Sequence, residues 1–459
     1  MRRLHLFVAA LVVTGCGDRG SVTFNLTTPQ SALFNPVAQP ELVSEYDIRT
    51  ASGNVIGVAS AVQGSGSSSN GLLPLGALMP AGAPEDVYVT ALSGGNLLGL
   101  ARIKDVTIKS GKKASYDAPL RKPLVFVGST LPAETSSGNK TAAVQILDPF
   151  SSMDLAHQPG TPANVAGLTA GAATWDGRFV VVAQGNALTA FDTGSGTNVA
   201  GTLTLGFQPS RIVVAPRDQA IVALDPGSGA DGSLAIISDV AGFVGSPGSA
   251  SPKTVRMPGA IARAAAFSPD GSKLYVLTGG TKTDPCAPGA TLAANAVQIY
   301  TLDGAMTGMF VLEGFASDLT VDPQSGAIVI ADVAGKQLAT LDATSGAPTK
   351  LLGGITCPSA VRVVNGTVYA VTSDRDTTQT NAFLLQRVPL KGGAAAATPF
   401  GGAFYNIPID SQPSTNGDVG GATLPVRPSS VWAYELAITP DGSRAEFATR
   451  FVYSENQTV

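Results

Sequence analysis

The chain has 459 residues, of which 44% are hydrophobic and only 14% are charged, and it contains 53 Gly and 31 Pro. This length allows two or three domains, or one large repeat domain with an accessory domain. The formal net charge is −4 and the basic residues form no long cluster. Nucleic-acid binding requires a basic stripe, so the composition argues against a nucleic-acid partner. Abundant Gly and Pro, without a sustained helical period of apolar residues, predict short strands joined by turns and little helix.

The N-terminal segment has the pattern of an export signal. Arg2 and Arg3 precede an apolar run at 4–13, which ends in Val-Thr-Gly-Cys at 13–16. A basic region, a short apolar stretch and small residues before a cleavage site are typical of secretory signals. The run is too short to span a bilayer core of about 30 Å as a helix. The tetrapeptide resembles the lipobox of bacterial lipoproteins, which implies cleavage before Cys16 and a diacylglycerol on its thiol. An ordinary secreted signal with an incidental cysteine is the alternative.

The lipoprotein interpretation makes residues 1–15 a signal peptide and 16–20 a tether, with the membrane as a partner. Acyl chains contribute about 0.8 kcal/mol per buried CH₂, so such an attachment is effectively permanent. Gly17 rather than Asp follows Cys16, and by the lipoprotein sorting pattern this resembles an outer-membrane address. We therefore expect an outer-membrane lipoprotein of a bacterial envelope, with the periplasmic or surface face left open.

Residues 21–120 have β patterns that differ from the rest of the chain. Alternating apolar residues with Gly and Pro punctuation predict a small antiparallel β-sandwich, with a flexible loop at 64–70. The stretch DVTIKSGKKASYDAPL (105–120) resembles the closing hairpin of Ig-like or transthyretin-like accessory domains. The predicted strands are 21–26, 45–50, 54–62, 86–92, 97–103 and 114–120.

A repeated strand–turn–strand unit occupies residues 122–459. Its clearest copy is Ser-Pro-Asp-Gly at 268–271 followed by the strand 272–278. Units that cannot bury their own apolar faces must stack on their neighbours, so a repeat of about 40–55 residues predicts a β-propeller. Leading strands are expected to begin near Ala172, Arg211, Ala264, Asp318 and Ala360.

We therefore predict an all-β fold, a seven-bladed β-propeller preceded by the β-sandwich. The first repeat has strands at 123–129 and 142–149 but no clear leading strand, and the last begins near Trp432 and holds about three strands. Six blades is the alternative if these two fragments complete one blade. Closure of the ring across the two ends is expected because it removes exposed sheet edges. Residues 391–430 are expected to be a long surface insertion without a strand pair.

The segment SPDGSKLYVLT, followed by NAVQIYTLDG at 295–304, resembles the YVTN-type β-propeller repeat. The resemblance extends over residues 122–459 and is strongest in one or two blades. Propellers of this family include lactone-hydrolysing enzymes, metal-dependent esterases, quinone-cofactor dehydrogenases and surface-layer proteins. We interpret the turn residues Pro269, Asp270 and Gly271 as structural, because they fix φ, bond the local backbone and adopt a positive φ, respectively.

Catalysis finds little support in the sequence. After removal of residues 1–15 the chain retains one histidine, His157, whereas a Ser-His-Asp relay or an imidazole metal site requires histidine. We expect His157 to be a solvated or locally bonded loop residue. No metal-binding cluster of Cys and His and no haem attachment signature is present in the sequence. We predict no catalytic residue, no metal site and no cofactor, and favour a non-enzymatic role while leaving activity open.

Two polar loops carry the candidate ligand-binding residues. Asp284 lies in the loop 281–289, and Asp374, Arg375 and Asp376 lie in the loop 373–381. In propellers, loops after the inner strands lie on the face where the channel opens. These residues are the candidates for contact with a ligand, although a solvated charged loop is the favoured interpretation. A hard cation is conceivable there, although the Asp-x-Asp-x-Asp-Gly spacing is absent.

Cys286 and Cys357 are a candidate disulfide, since two thiols left in an oxidising envelope tend to pair. The bridge would fasten the long 279–295 loop across the fifth blade; two unpaired thiols are the alternative. The sequence thus favours an envelope-anchored binding or scaffold protein with a protein, peptide or glycan partner. The alternatives are a carboxylate- and cation-dependent lactonase-like hydrolase and a surface-layer structural component.

Overall fold

The structure is a computed structural model in which two compact units are distinguished, residues 1–28 with 36–120, and residues 29–35 with 121–459. In the described parts strands dominate, and the α-helix α1 (Val240–Gly245) spans only six residues. The low helix content predicted from Gly and Pro is confirmed. The structure describes residues 19–30, 34–37, 43–51, 53–60, 74–134, 140–148, 153–154, 168–225, 231–279, 294–373, 383–399, 430–439 and 445–452.

The first unit is a β-sandwich of two sheets. Every second residue of the first strand is buried, so one face of its sheet packs inward. Phe24, Ile48 and Val89, from three different strands, belong to one core shared by both sheets. The sheets have the strand orders β4-β1-β7 and β3-β2-β5-β6. The strands are β1 (Arg19–Thr27), β2 (Glu45–Thr50), β3 (Val55–Ser60), β4 (Leu75–Pro80), β5 (Glu85–Ser93), β6 (Asn96–Val106) and β7 (Lys113–Pro119).

Three details of this unit differ from the sequence prediction. Strand β4 was not predicted, because Leu78 at an exposed position hides its alternation. Strands β1 and β7 are parallel, so the sandwich is not wholly antiparallel. Strands β6 and β7 belong to different sheets, so residues 105–120 do not form the closing hairpin of one sheet. The Tyr116 hydroxyl bonds both the amide and the carbonyl of Thr107 at 2.8 Å, which holds the chain where it crosses between sheets.

In its described part, the second unit forms seven antiparallel sheets, each built from consecutive strands. The first three sheets contain β8 (Val125–Glu134), β9 (Lys140–Asp148) and β10 (Met153–Asp154); β11 (Leu168–Ala173), β12 (Phe179–Gln184), β13 (Ala187–Asp192), β14 (Thr197–Asn198) and β15 (Leu203–Thr204); and β16 (Arg211–Val214), β17 (Ile221–Asp225), β18 (Gly232–Ile237) and β19 (Lys253–Met257).

The remaining sheets complete the series. They contain β20 (Ala262–Phe267), β21 (Lys273–Thr278), β22 (Ala296–Thr301) and β23 (Met306–Val311); β24 (Ala316–Val321), β25 (Ile328–Asp332), β26 (Gln337–Leu341) and β27 (Pro348–Gly353); β28 (Pro358–Val364), β29 (Thr367–Ser373), β30 (Phe383–Pro389) and β31 (Ala396–Pro399); and β32 (Ser430–Ile438) with β33 (Ala445–Val452).

The leading strands of successive sheets are neighbours. Strand β11 lies beside β8 and β16, and the series continues through β20, β24 and β28 to β32. Sheets of consecutive strands whose first strands are side by side form a β-propeller, so the predicted all-β propeller fold is confirmed. The predicted leading strands at Arg211, Ala264, Asp318 and Ala360 lie within β16, β20, β24 and β28. The number of blades and the closure of the ring stay predictions, because the described strand pairings do not join the first sheet to the last.

Two expectations for this unit were wrong. Strand β8 takes the leading position of the first sheet, beside β11. The sequence predicted no leading strand for this first repeat. The register of β8 shifts between Gly128 and Pro132, which explains why its alternation is weak. Strand β31 pairs with β30, so residues 396–399 are the fourth strand of a blade rather than part of an insertion. Residues 400–429 lie outside the described part of the chain.

The middle strands of the sheets form the core. Four consecutive residues of β17 and of β25 are buried, because neighbouring sheets cover both faces of these strands. Strands covered on both faces form continuous apolar runs rather than alternating ones. Leu224 and Leu274, from the third and fourth sheets, pack into one cluster. Blade-to-blade burial of this kind holds the leading strands in place.

The Ser-Pro-Asp-Gly turn closes on its own side chains. Asp270 Oδ1 accepts a hydrogen bond from Ser268 Oγ at 2.6 Å and one from the Ser272 amide at 3.1 Å. Its Oδ2 accepts from Ser272 Oγ at 2.8 Å. These hydrogen bonds, from Ser268 above all, lower the pKa of Asp270 to about 2. The motif residues therefore have the structural role that the sequence predicted.

Candidate functional site

Four charged side chains lie on leading strands of the propeller unit. Arg211 belongs to β16, Arg263 to β20, Asp318 to β24 and Arg362 to β28. The exposed fraction of the side chain is 12% for Arg211, 23% for Arg362 and 2% for Asp318. Charged side chains are seldom this buried unless they are paired. We call these four residues the axial cluster.

Bulges at the start of the leading strands help to position the cluster. Each of β20, β24 and β28 shifts its register by one residue near its first residue. Such a bulge leaves one residue outside the regular pairing and changes the direction of its side chain. In β20 the extra residue is Arg263. In β24 it is Ser317, whose hydroxyl donates to the Pro358 carbonyl at 2.7 Å and so links two blades.

Asp318 is the centre of the axial cluster. Its Oδ1 accepts a hydrogen bond from Arg211 Nη1 at 2.7 Å. Its Oδ2 accepts from Arg362 Nη1 at 2.9 Å and from the Val361 amide at 3.0 Å. Both carboxylate oxygens are thus hydrogen-bonded, and a single side chain connects the third, fifth and sixth sheets.

The cluster holds Asp318 in its ionised form. Burial raises the pKa of Asp318, but the charges of Arg211 and Arg362 and the hydrogen bonds from Arg211 and Val361 outweigh this, and the pKa lies below its ordinary value. Burial lowers the pKa of Arg362, Asp318 opposes that effect, and Arg211 adds to it by repulsion. The arginines therefore favour the ionised form of Asp318, and Asp318 in turn favours the charged form of Arg362.

Arg263 is the third guanidinium of the cluster. Its Cζ lies 4.7 Å from the centroid of the Phe315 ring, which is a cation–π contact. Burial lowers the pKa of Arg263 to about 10, while the charge of Asp318 opposes this shift. Arg263 therefore remains protonated at neutral pH.

The chemistry of these groups favours binding over proton transfer. A guanidinium carries only donors and stays charged near neutral pH, so it is a poor general acid or base. The Asp318 carboxylate has a lowered pKa and engages both oxygens, so it is a weak base. The described groups of the axial cluster are therefore poorly suited to transfer a proton or to activate a nucleophile.

Most of the residues predicted from the sequence lie outside the described part of the chain. This applies to Asp284, Cys286, Cys16 and His157, and to the run Asp374, Arg375 and Asp376. Their proposed roles stay predictions. The described chain enters the 280–293 segment after Gly279, and the preceding Thr278 pairs with Ala262, next to Arg263. It enters the 374–382 segment after Ser373, at the end of the sheet where β28 begins.

Cys357 is the cysteine that the structure describes. It is disulfide-bonded, is 7% exposed and adopts a φ of 42° immediately before β28. Cys16 and Cys286 lie outside the described residues. The pairing of Cys357 with Cys286 therefore stays a prediction.

The axial cluster was missed by sequence reasoning, although its signal was visible. Arg211 and Asp318 were recognised as starts of leading strands, but not as a site. Charged residues interrupt leading strands that are otherwise apolar or small, as in ARAAAF (262–267) and PSAVRVV (358–364). Since buried charges need partners, an excess of such residues on neighbouring strands predicts a charged centre.

Two absences hold for the residues that the structure describes. Within these ranges there is no group of three or more His, Cys, Asp or Glu side chains that could hold a metal ion. In the same residues no helix has the length and the apolar composition needed to cross a membrane.

No protein-family model matches the chain, and no curated protein matches it. Similar solved structures include those of the RRP9 WD40 repeats and of U3-55K, each at 8% identity with a TM-score of 0.39. Each covers 52% of this chain, and the chain spans 64% and 65% of their lengths, less than two thirds. The computationally designed Ika8 protein is also similar, at 10% identity with a TM-score of 0.39, and covers 68% of this chain and 83% of its own.

Proposed function

We propose that this protein is a binding or scaffold β-propeller of a bacterial envelope, with the axial cluster at its recognition site. The observation that supports the proposal is the set of three guanidinium groups around Asp318. Groups that keep their charge near neutral pH recognise a partner without exchanging protons with it. The partner is a protein, peptide or glycan that binds where the leading strands carry the axial cluster.

The Asp318 contacts make the site rigid. The carboxylate connects Arg211 and Arg362 from sheets on either side of its own, and Ser317 adds a further link to Pro358. A rigid site loses little conformational entropy when a partner binds, so more of the contact energy contributes to affinity. This favours a recognition role over one that requires the site to close or rearrange.

Co-purification from solubilised envelopes tests the binding role. We would compare the wild type with the double variant Arg263→Gln and Arg362→Gln, and with Arg178→Gln as the matched control. Arg178 also lies 4.7 Å over an aromatic ring, that of Phe179, but its side chain is 52% exposed and it pairs with Asp192 rather than with Asp318. The proposal predicts a partner retained by wild type and control and lost from the double variant, with folding checked by circular dichroism. An unchanged partner set, or turnover of a lactone or ester by the purified mature chain, would contradict it.

The membrane anchor is a separate part of the proposal. It is supported by the Val-Thr-Gly-Cys tetrapeptide that ends at Cys16. Labelling with a radioactive fatty acid, followed by detergent phase partition, would compare the wild type with Cys16→Ser. We expect label and membrane attachment in the wild type and neither in the variant. Wild-type protein without label would show that the segment is an ordinary secretory signal.

A further inference from the structure

Exposed basic side chains gather at one end of the β4-β1-β7 sheet of the sandwich. The Gly111 amide donates to the Arg19 carbonyl, and the Ser21 amide donates to the Lys112 carbonyl, each at 3.0 Å. The Lys112 amide donates to the Lys109 carbonyl, also at 3.0 Å, which closes the turn between β6 and β7 against the start of β1. The basic residues at this end are Arg19 in β1, Lys109 and Lys112 in the turn, and Lys113 at the start of β7, all of them exposed.

The same end of the sheet carries an exposed apolar side chain. Alternate residues of β1, beginning with Gly20, are buried, so Arg19 and Ser21 point to the outer face of the sheet. Ser21 pairs with Leu78 of β4 on one side and with Lys113 of β7 on the other, so these side chains share that face. Leu78 is 57% exposed. We call Arg19, Leu78, Lys109, Lys112 and Lys113 the anchor-side patch.

Acidic side chains of the sandwich lie away from this face. Glu85, Asp86 and Asp105 belong to the other sheet, where Asp86 Oδ1 accepts a hydrogen bond from the Asp105 amide at 3.0 Å. Asp117 is in the same sheet as Lys113 but four residues further along β7, about 13 Å away. The basic charge is therefore concentrated where β1 and β7 begin.

The proposed lipid attachment site is close to this patch along the chain. Gly17 and Asp18 separate Cys16 from Arg19. Three residue steps span at most about 11 Å, so the start of β1 stays within that distance of the Cys16 Cα. This is comparable with the Debye length of about 8 Å at physiological ionic strength, so the patch would experience the charge of the bilayer surface.

We propose that the anchor-side patch docks on an anionic phospholipid surface beside the acyl chains of Cys16. This inference rests on the proposed membrane anchor and adds the surface through which the sandwich meets the bilayer. Lys and Arg side chains near a negatively charged leaflet are attracted to its headgroups. The exposed Leu78 side chain on the same face gains by entering the interface between headgroups and acyl chains.

Lysine footprinting of the full-length acylated protein tests the inference. The protein is reconstituted into vesicles of phosphatidylcholine alone, or of equal parts phosphatidylcholine and phosphatidylglycerol, and is labelled with acetic anhydride. We expect Lys109, Lys112 and Lys113 to react at least about fivefold more slowly in the anionic vesicles. Lys350, an exposed strand residue of the propeller unit, should react equally in both. Salt at about 1 M, where the Debye length is about 3 Å, should remove the protection.

Charge reversal provides a mutational test. Lys113→Glu should raise the labelling of Lys109 and Lys112 in the anionic vesicles at least about threefold, because it repels the headgroups beside them. Lys350→Glu is the matched control, since it makes the same change at an exposed strand position of the other unit. It should leave the labelling of Lys109 and Lys112 unchanged. Equal labelling of the wild type in the two kinds of vesicle, or equal effects of the two variants, overturns the inference.

Vesicle flotation separates the docking surface from the anchor. Protein that floats with both kinds of vesicle but shows no protected lysines means that the anchor stands and the docking surface is wrong. Protein that floats with neither contradicts both. Flotation with the anionic vesicles alone, by protein that carries no fatty-acid label, supports the docking surface and contradicts the anchor.

Discussion

Arg211 Nη1 lies 2.7 Å from Asp318 Oδ1, although the two residues are 107 positions apart in the chain. Arg211 belongs to the third sheet and Asp318 to the fifth, so the contact passes the leading strand of the fourth sheet. A flat row of sheets would keep these strands apart. The contact therefore brings the leading strands of the third and fifth sheets close enough for their side chains to meet across the fourth.

Replacement of Asp318 should be strongly destabilising. Asp318→Asn leaves Arg211 and Arg362 without their carboxylate, and removing one partner of a buried ion pair costs about 3–5 kcal/mol. Urea denaturation would measure the free energy of unfolding. The control is Asp231→Asn, because Asp231 also pairs with an arginine at 2.6 Å but both side chains are exposed. The control should unfold as the wild type does, and equal losses in both variants would contradict this prediction.

The turn carboxylate provides a pH-dependent prediction. Hydrogen bonds from Ser268 and Ser272 lower the pKa of Asp270 to about 2. Because the folded-state pKa is below the unfolded value, the contribution of Asp270 to stability is full above the unfolded pKa and is lost as pH falls through about 2. Ser268→Ala removes the largest of these effects and should raise the pKa of Asp270. Carboxyl carbon NMR titration measures this, and an unchanged midpoint would show that Ser268 does not bond the carboxylate.

Two glycines with the same backbone conformation should differ in their tolerance of alanine. Gly346 and Gly366 have φ of 72° and 69°, where a side chain costs about 1–2 kcal/mol. A Cβ on Gly366 would contact nothing within 4 Å, whereas one on Gly346 would lie 2.6 Å from Phe310 Cβ. Overpacking adds about 1–3 kcal/mol. Gly346→Ala should therefore lower the free energy of unfolding more than Gly366→Ala, and the reverse order would contradict the packing of Phe310.

The disulfide of Cys357 can be assigned directly. We predict that Cys286 is its partner, which closes a long loop and adds on the order of 4 kcal/mol by chain entropy if strain is small. Peptide mapping under non-reducing conditions should recover one peptide pair that contains both residues. Recovery of Cys286 as a free thiol would exclude the pairing.

The repeats could be predicted from the sequence because their signals are local. Asp270 and Gly271 define a turn within four residues, and the apolar runs on either side identify its strands. Short segments without such signals were missed. The segment Ala396–Pro399 has no apolar alternation in its own sequence. It is a strand because its backbone pairs with the edge of β30.

The axial cluster could not be predicted in the same way. Which leading-strand residues meet depends on the bulges that shift the register in β20, β24 and β28 and on the curvature of the series of sheets. Neither is encoded in residues close in sequence. The sequence indicates that Arg211 and Asp318 are charges on leading strands, and the fold determines that they form a pair.

A double-mutant cycle on Arg211 and Asp318 is the most direct test of this account. The free energy of unfolding is measured for Arg211→Gln, for Asp318→Asn and for the two changes combined. Residues in direct contact couple by about 0.5–3 kcal/mol, whereas distant residues add within about 0.3–0.5 kcal/mol. We predict a coupling above about 1 kcal/mol, with the combined variant less destabilised than the two single effects together. Additive effects would show that the two side chains do not meet and would contradict the ion pair at the centre of the axial cluster.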